Sequence, residues 1–202
     1  MRTRMTQITA VVLAAGLSRR MGQPKMLLPW RGTTVLGQVL NTLRAAGIEE
    51  MIVVTGGARE LVEAEVVRLE TEGIPVRTIF NPQHEAGEMM SSVRVGLAAI
   101  GPKTEFALIA LGDQPQLSTQ AARRVLSAAE QPGARLILPS FAMRRGHPWL
   151  VRRDLWPALA AAENGRAFLR AHEAEIAYIE TDESVMKDMD TPEEYQKGLN
   201  AI

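Results

Sequence analysis

The chain has 202 residues, 46% of them hydrophobic and 23% charged, with 23 Lys plus Arg against 23 Asp plus Glu and no cysteine. The even charge balance argues against a nucleic-acid or membrane partner, and the lack of cysteine excludes disulfides, thiolate metal sites and cysteine nucleophiles. The opening MRTRMTQIT lacks the apolar stretch of a signal peptide and no run is apolar for long enough to span a bilayer, so a single cytoplasmic domain over 1–202 is expected.

Strand and helix patterns alternate along most of the chain. ITAVVLAA (8–15) is nearly all apolar, as in a strand buried on both faces. Over 34–46, Val35, Leu36, Val39, Leu40 and Leu43 recur at helical spacing, with Thr33 or Thr34 able to cap and Gly47 to stop the helix. EMIVVTGG (50–57) reads as a second strand, 58–70 as an amphipathic helix, and VRTIF (76–80) as a third strand closed by Asn81-Pro82. A helix over 88–100, a strand in FALIALGD (106–113), a helix over 118–130 capped by Ser118 and a strand in ARLILPS (134–140) follow. Beyond Ser140 the pattern loosens into a Gly-His-Pro turn, a helix interrupted by Pro157, a helix over 166–171, a strand over 176–179 and a closing helix. Thr191-Pro192-Glu193-Glu194 is a helix start, with Thr as N-cap, Pro in the first turn and Glu at the capping-box position. The whole predicts an α/β, three-layer, Rossmann-like domain with a mostly parallel twisted sheet. In such sheets ligands bind beyond the carboxyl ends of the strands, so the loops after Ala15, Thr55, Phe80, Leu111 and Leu138 should share one edge.

Three groups of residues could carry chemistry at that edge. After the first strand, Gly16 and Gly22 permit a tight turn, while Arg20 and Lys25 supply positive charge. Such a loop suits a polyphosphate, or is simply a solvated strand–loop junction; its spacing matches neither the P-loop nor the dinucleotide glycine fingerprint. Asp113 stands where a strand ends and can hold a divalent metal or cap the next turn. Asp188 and Asp190 precede the last helix, where an acid also suits the helix dipole. Two distant carboxylates and one phosphate loop together suggest Mg²⁺ on a polyphosphate. His147 lies in a turn, where a lone histidine serves structure as readily as ligand binding. Trp30, Trp149 and Trp156 suit either a heterocycle site or the core. Glu60, Glu63 and Glu65 read as a solvated helix face, and Arg152 and Arg153 as surface.

Longer strings are more specific. LAAGLSRRMGQPK (13–25) resembles the L-A-[AG]-G-x-[GS]-x-R-M-x-x-x-K signature of nucleotidyltransferases that activate sugars and cofactors, and Leu13, Ala14, Ala15, Gly16, Ser18, Arg20, Met21 and Lys25 match it. NPQHEAGEMMSS (81–92), GDQP (112–115) and RRGHP (144–148) resemble segments of the molybdenum-cofactor branch, the MobA-like NTP transferase family, and the likeness runs from residue 9 to about 199. The resemblance implies transfer of CMP from CTP to the phosphate of molybdopterin or the molybdenum cofactor, with release of pyrophosphate. It implies Leu13, Ala14, Ala15, Gly16, Ser18, Arg20, Lys25, Thr55, Gly87, Ser91 and Asp113 at the nucleotide, with Arg20, Lys25 and Asp113 in catalysis. Ser92 is implied beside Ser91. It implies His147 with Arg145 or Arg144 at the acceptor. The metal, Mg²⁺ or in its place Mn²⁺, would sit on Asp113 and Asp190, with Asp188 competing for the second position. Residues 1–115 would mainly bind nucleotide and 116–202 the acceptor, and a molybdoenzyme could receive the product. L-A-A-G in place of L-A-G-G, and G-D-Q-P in place of G-D-M-P, favour CTP over GTP. The alternatives are another NTP or phosphorylated acceptor, a nucleotide-binding chaperone that carries cofactor without turnover, and a nicotinamide-dependent oxidoreductase on the same scaffold.

Overall fold

The computed structural model describes residues 6–18, 20–86 and 89–201. Strand β1 (Ile8–Ala14) is buried along almost its whole length. Two short strands, β2 (Pro29–Trp30) and β3 (Thr33–Thr34), form an antiparallel hairpin before helix α1 (Val35–Ala46). Thr34 is the cap, accepting from Gly37 N, and Gly47 ends the helix at φ 111°, a conformation glycine adopts without strain. Then come β4 (Met51–Thr55), α2 (Arg59–Thr71), β5 (Val76–Phe80), α3 (Met89–Ala98), β6 (Phe106–Leu111) and α4 (Thr119–Ser127). Ser118 caps α4 by accepting from Ala121 N. The rest comprises β7 (Leu136–Phe141), β8 (Arg144–Arg145), β9 (Trp149–Arg152), α5 (Trp156–Ala161), α6 (Gly165–Ala171), β10 (Ile176–Glu180) and α7 (Pro192–Asn200).

The main sheet runs β10-β7-β9-β6-β1-β4-β5, with β8 paired to β7. β1 pairs in parallel with β4 and β6, β4 with β5, and β7 with β10. β9 is antiparallel to both β6 and β7. The sequence pattern did not predict this strand: WLVR is four residues long and sits between Pro148 and a helix, too short to show a period. Pro157 begins α5 and does not interrupt it, because proline's missing N–H costs nothing in a first turn.

Side chains of β1 and of Ala15, which follows it, alternate between two cores. Ala10, Val12 and Ala14 pack with α1, α2 and α4, while Val11, Leu13 and Ala15 pack with α3, α5 and α6. The sheet is therefore the middle of three layers, which explains why its strands read as continuous apolar runs. A satellite cluster of Met21, Leu28, Trp30, Val35 and Met189, with Tyr195 and Leu199 against it, ties the loop after β1 to the segment before α7. Among the described residues no helix is long and apolar enough to cross a membrane.

Candidate functional site

The loop after β1 turns at Ser18, whose φ of 49° is unusual for a residue with a side chain, and at Gly22 with φ 67°. Ser18 Oγ accepts from Lys25 N at 3.1 Å, and Met21 N donates to Ser18 O at 3.0 Å, so the loop closes on itself. Met21 is buried in the satellite cluster and anchors the loop from below. Arg20 and Lys25 are left facing the sheet edge.

Lys25 is buried, and its ammonium donates both to Asp113 and to Asp190 Oδ1, the latter at 2.8 Å. Arg20 donates to the other oxygen of Asp190 at 2.6 Å. Burial pulls the Lys25 pKa down, but the charges and hydrogen bonds of Asp113 and Asp190 outweigh it and the pKa rises, so the ammonium is firmly protonated. The hydrogen bond from Lys25, with the charges of Lys25 and Arg20, lowers the pKa of Asp190. Asp188 is raised, chiefly by burial, and Gln114 Nε2 donates to it at 2.6 Å.

These groups line a cleft of about 630 Å³ at the carboxyl ends of the strands. Leu13, Ala15, Gly16, Ser18, Arg20, Lys25, Asp113 and Asp190 all face it, as do Asp188 and Ser92. Three residues named from the sequence do not. Ala14 turns its methyl into the core beneath α1, because alternate residues of a strand point to opposite faces. Thr55 is fully buried, its hydroxyl 3.3 Å from Glu63 Oε1. Ser91 is buried and accepts from Asn81 Nδ2 at 2.8 Å, while Ser92, a helical step further round, reaches the cleft. Gly87 lies outside the described residues. The sequence reading missed His84, Glu85 and Met89 on the opposite wall, for their types carry no signal without the turn that places them.

A second cleft of about 680 Å³ begins where the first ends, and Asp188 lines both. His147, Arg144 and Arg145 line it, joined by Gln114, Arg166 and Arg170. Arg145 meets Glu173 at 3.3 Å and lies over the Tyr178 ring. The His147 ring stacks on Trp149, with centroids 4.7 Å apart and planes at 12°. One edge of His147 stays partly exposed, but its Nε2 is sealed from solvent and has no hydrogen-bond partner. Burial lowers its pKa to about 4, so the imidazole is neutral at pH 7. Of the tryptophans, Trp30 is in the satellite core, Trp156 donates to Val151 O at 2.9 Å, and Trp149 stacks on His147 of the second cleft.

Asp113 and Asp190 converge on one point, the Lys25 ammonium, so both could ligate one cation. Among the described residues no three His, Cys, Asp or Glu side chains gather as a complete metal cage. Two hard carboxylates without further protein ligands fit Mg²⁺ or Mn²⁺ shared with phosphate oxygens and water, and do not fit a closed zinc site.

Residues 10–176 match the MobA-like NTP transferase domain. The chain is 35% identical to the nicotine blue oxidoreductase of Paenarthrobacter nicotinovorans over 95% of its own length and 96% of that protein's. It is 33% identical to the molybdenum cofactor cytidylyltransferase of Escherichia coli K12, over 95% of each chain. The crystal structure of Rv0371c from Mycobacterium tuberculosis H37Rv superposes with a TM-score of 0.82 at 31% identity, covering 98% of this chain and 100% of that one. A complex of that protein with manganese superposes at 0.77 with 32% identity and the same coverage. With the nucleotidyltransferase signature at the mouth of the cleft and the match running through most of the sheet, this chain belongs to the MobA-like NTP transferase family and is an enzyme of the nucleotidyl-transferring class.

Proposed function

We propose that this protein transfers CMP from CTP to the phosphate of molybdopterin, free or carrying molybdenum, and releases pyrophosphate. The observation that carries the reading is the junction of two unlike clefts. One holds Lys25, Arg20 and two convergent carboxylates; the other is lined by four arginines and a neutral histidine; Asp188 stands between them. The first suits a triphosphate with a divalent cation, and the second an anionic heterocycle. The similarity to a molybdenum cofactor cytidylyltransferase supports the choice of acceptor. Residues up to about 115 then serve mainly the nucleotide and later ones mainly the acceptor, although Asp188 and Asp190 cross that division to reach the first cleft.

In this reading an oxygen of the acceptor phosphate attacks the α-phosphorus of CTP in line, and the bond to pyrophosphate breaks. Asp113 and Asp190 would hold Mg²⁺, or Mn²⁺ in its place, which supplies positive charge to the triphosphate. Lys25 and Arg20 donate to phosphate oxygens as negative charge moves to the leaving group. The loop from Ser18 to Lys25 holds them in place, so part of the barrier is met by positioning. A phosphate nucleophile is already ionised at neutral pH, so the chain needs no general base. Ala15 lines the cleft, and a methyl where the related signature has glycine would leave less room for a base, in favour of a pyrimidine.

The test is pyrophosphate release from each of the four NTPs with molybdopterin and Mg²⁺. CTP should support turnover and GTP should not; turnover with GTP alone overturns the base assignment. The similarity to a nicotine blue oxidoreductase favours a second reading, reduction of a heterocycle by a nicotinamide cofactor. Consumption of NADH or NADPH with nicotine blue, and no pyrophosphate release with any NTP, would establish that reading in place of the first.

A further inference from the structure

Arg166 and Arg170 lie one turn apart on α6, and both line the second cleft. Arg144, on β8, lines it as well. Among the described residues none of these three guanidinium groups pairs with a carboxylate, whereas Arg145 in the same cleft is held by Glu173 at 3.3 Å. Like charges one helical turn apart repel each other, and a third cation in the same concavity adds to the repulsion. An anion in the cleft would relieve it. A second, independent feature of that cleft also points to a ligand. His147 Nε2 is buried without a partner, and buried polar atoms without partners are rare in folded proteins.

We propose that Arg144, Arg166 and Arg170 bind a second anionic group of the acceptor, distinct from its reacting phosphate. The inference rests on the reading of this chain as a transferase to a phosphorylated acceptor. The reacting phosphate must meet the triphosphate beside Lys25 and Asp113, in the first cleft. The two clefts share Asp188 and no other described lining residue, so the arginines of the second are not the groups that hold that phosphate. The body of the acceptor would cross Asp188 into the second cleft, whose lining includes His147. Its second anionic group would then reach the arginines. Planar guanidinium forks bind paired anionic atoms through two parallel hydrogen bonds, so a dithiolate, an oxyanion or a carboxylate fits, and a neutral group does not. Selection of the acceptor thus lies in α6 and β8, apart from the groups that hold CTP.

The experiment replaces both α6 arginines, Arg166→Gln with Arg170→Gln, and measures two affinities. CTP affinity should match wild type, which also shows that the variant is folded. Molybdopterin affinity, read from quenching of pterin fluorescence with CTP bound, should fall at least about tenfold, with partial recovery in Arg166→Lys with Arg170→Lys. Unchanged molybdopterin affinity in a variant that still binds CTP overturns the subsite. If the double variant loses CTP affinity, Arg144→Gln is measured in its place with the same two outcomes. If wild type does not bind molybdopterin, the proposed function fails separately. Inorganic phosphate, titrated into the CTP-saturated protein, then decides the subsite: weaker binding in the glutamine variant supports it, and equal binding overturns it.

Discussion

Lys25, Asp113 and Asp190 form the tightest group of charges in the first cleft, and each should be sensitive to the loss of one charge. Asp113→Asn keeps the size and packing of the side chain but removes the anion that would hold the cation. Turnover should fall by about a hundredfold or more, the scale of losing one group that stabilises charge in a transition state, while the circular dichroism spectrum is unchanged. Near-normal turnover would remove Asp113 from the metal site. The Arg20 side chain is 67% exposed, so its hydrogen bond to Asp190 matters little for stability. Arg20→Ala should instead weaken CTP binding, by about tenfold if one charge-assisted hydrogen bond to phosphate is lost, as calorimetry would show. His147 behaves differently because it is neutral. With its pKa lowered to about 4, the pH profile of acceptor binding above about pH 5.5 should be the same in wild type and in His147→Asn, any step near about pH 6 belonging to the acceptor phosphate; a step that disappears in the variant would mean that the imidazole titrates in the working enzyme.

At the level of elements, helix starts place two of the site's segments. Glu194 Oε2 accepts from the backbone N–H of Asp190 at 2.7 Å and of Thr191 at 3.0 Å, and Thr191 Oγ1 accepts from Glu194 N at 3.2 Å. The capping box of α7 therefore also fixes the backbone that carries Asp190. Thr191→Ala should cost about 1 kcal/mol in a denaturant titration and should raise the Mg²⁺ concentration needed for half-maximal activity. A loss of stability with unchanged metal dependence would mean that the cap and the site are independent. At the other cleft, a Cβ on Gly146 would overlap the carbonyl oxygen of Val185, so the turn before β9 can approach the 183–186 turn only with glycine there. Gly146→Ala should destabilise by about 1–3 kcal/mol, the usual cost of overpacking, and should weaken acceptor binding more than CTP binding.

For the whole molecule, the perturbed groups set the response to acid. His147 has a pKa of about 4 in the fold and about 6.5 in an open chain, so the unfolded state takes up the proton first. Its contribution is complete above about pH 6.5 and is lost as the pH falls to about 4, a difference of roughly 3 kcal/mol. Asp154 is lowered to about 2 by hydrogen bonds from Arg152 and Arg135, and Asp190 is lowered by Lys25, so their contributions hold above the ordinary carboxylate range and fade below it. Asp188, raised by burial, works in the opposite sense, since its folded form takes up a proton before the open chain does. Urea midpoints should therefore decline in two stages, from pH 6.5 to 4 and again below 4. His147→Asn, which has no titrating group, should remove the first stage and leave the second. A first stage that persists in that variant would assign it to another group.

Much of this was legible in the sequence because it is local. Apolar runs ended by glycine marked β1 and β4, helical spacing marked α1, and Ser118 and Thr191 were readable as caps, as was Thr33 or Thr34, because a cap bonds only to its own first turn. The signature loop was legible for the same reason: its turn residues and cations are neighbours in the chain. What stayed hidden depended on phase or on distance. Whether Ala14 or Ala15, and Ser91 or Ser92, faces the cleft turns on a single step of strand or helix, which packing decides and residue type does not. The four-residue β9 owes its place to the partners on either side of it, β6 and β7. Nothing in the sequence singled out Arg166 and Arg170, because only the fold brings them into one cleft with Arg144 of β8. The alternation of elements, the caps and the cationic glycine loop after β1 follow from the chain alone, since each depends on interactions within a few residues. That Asp190 meets Lys25 across 165 residues, and that a second cleft shares Asp188 with the first, comes from the packing of the folded chain. Those contacts form when hydrophobic burial fixes the register of distant segments, and no local pattern carries that information.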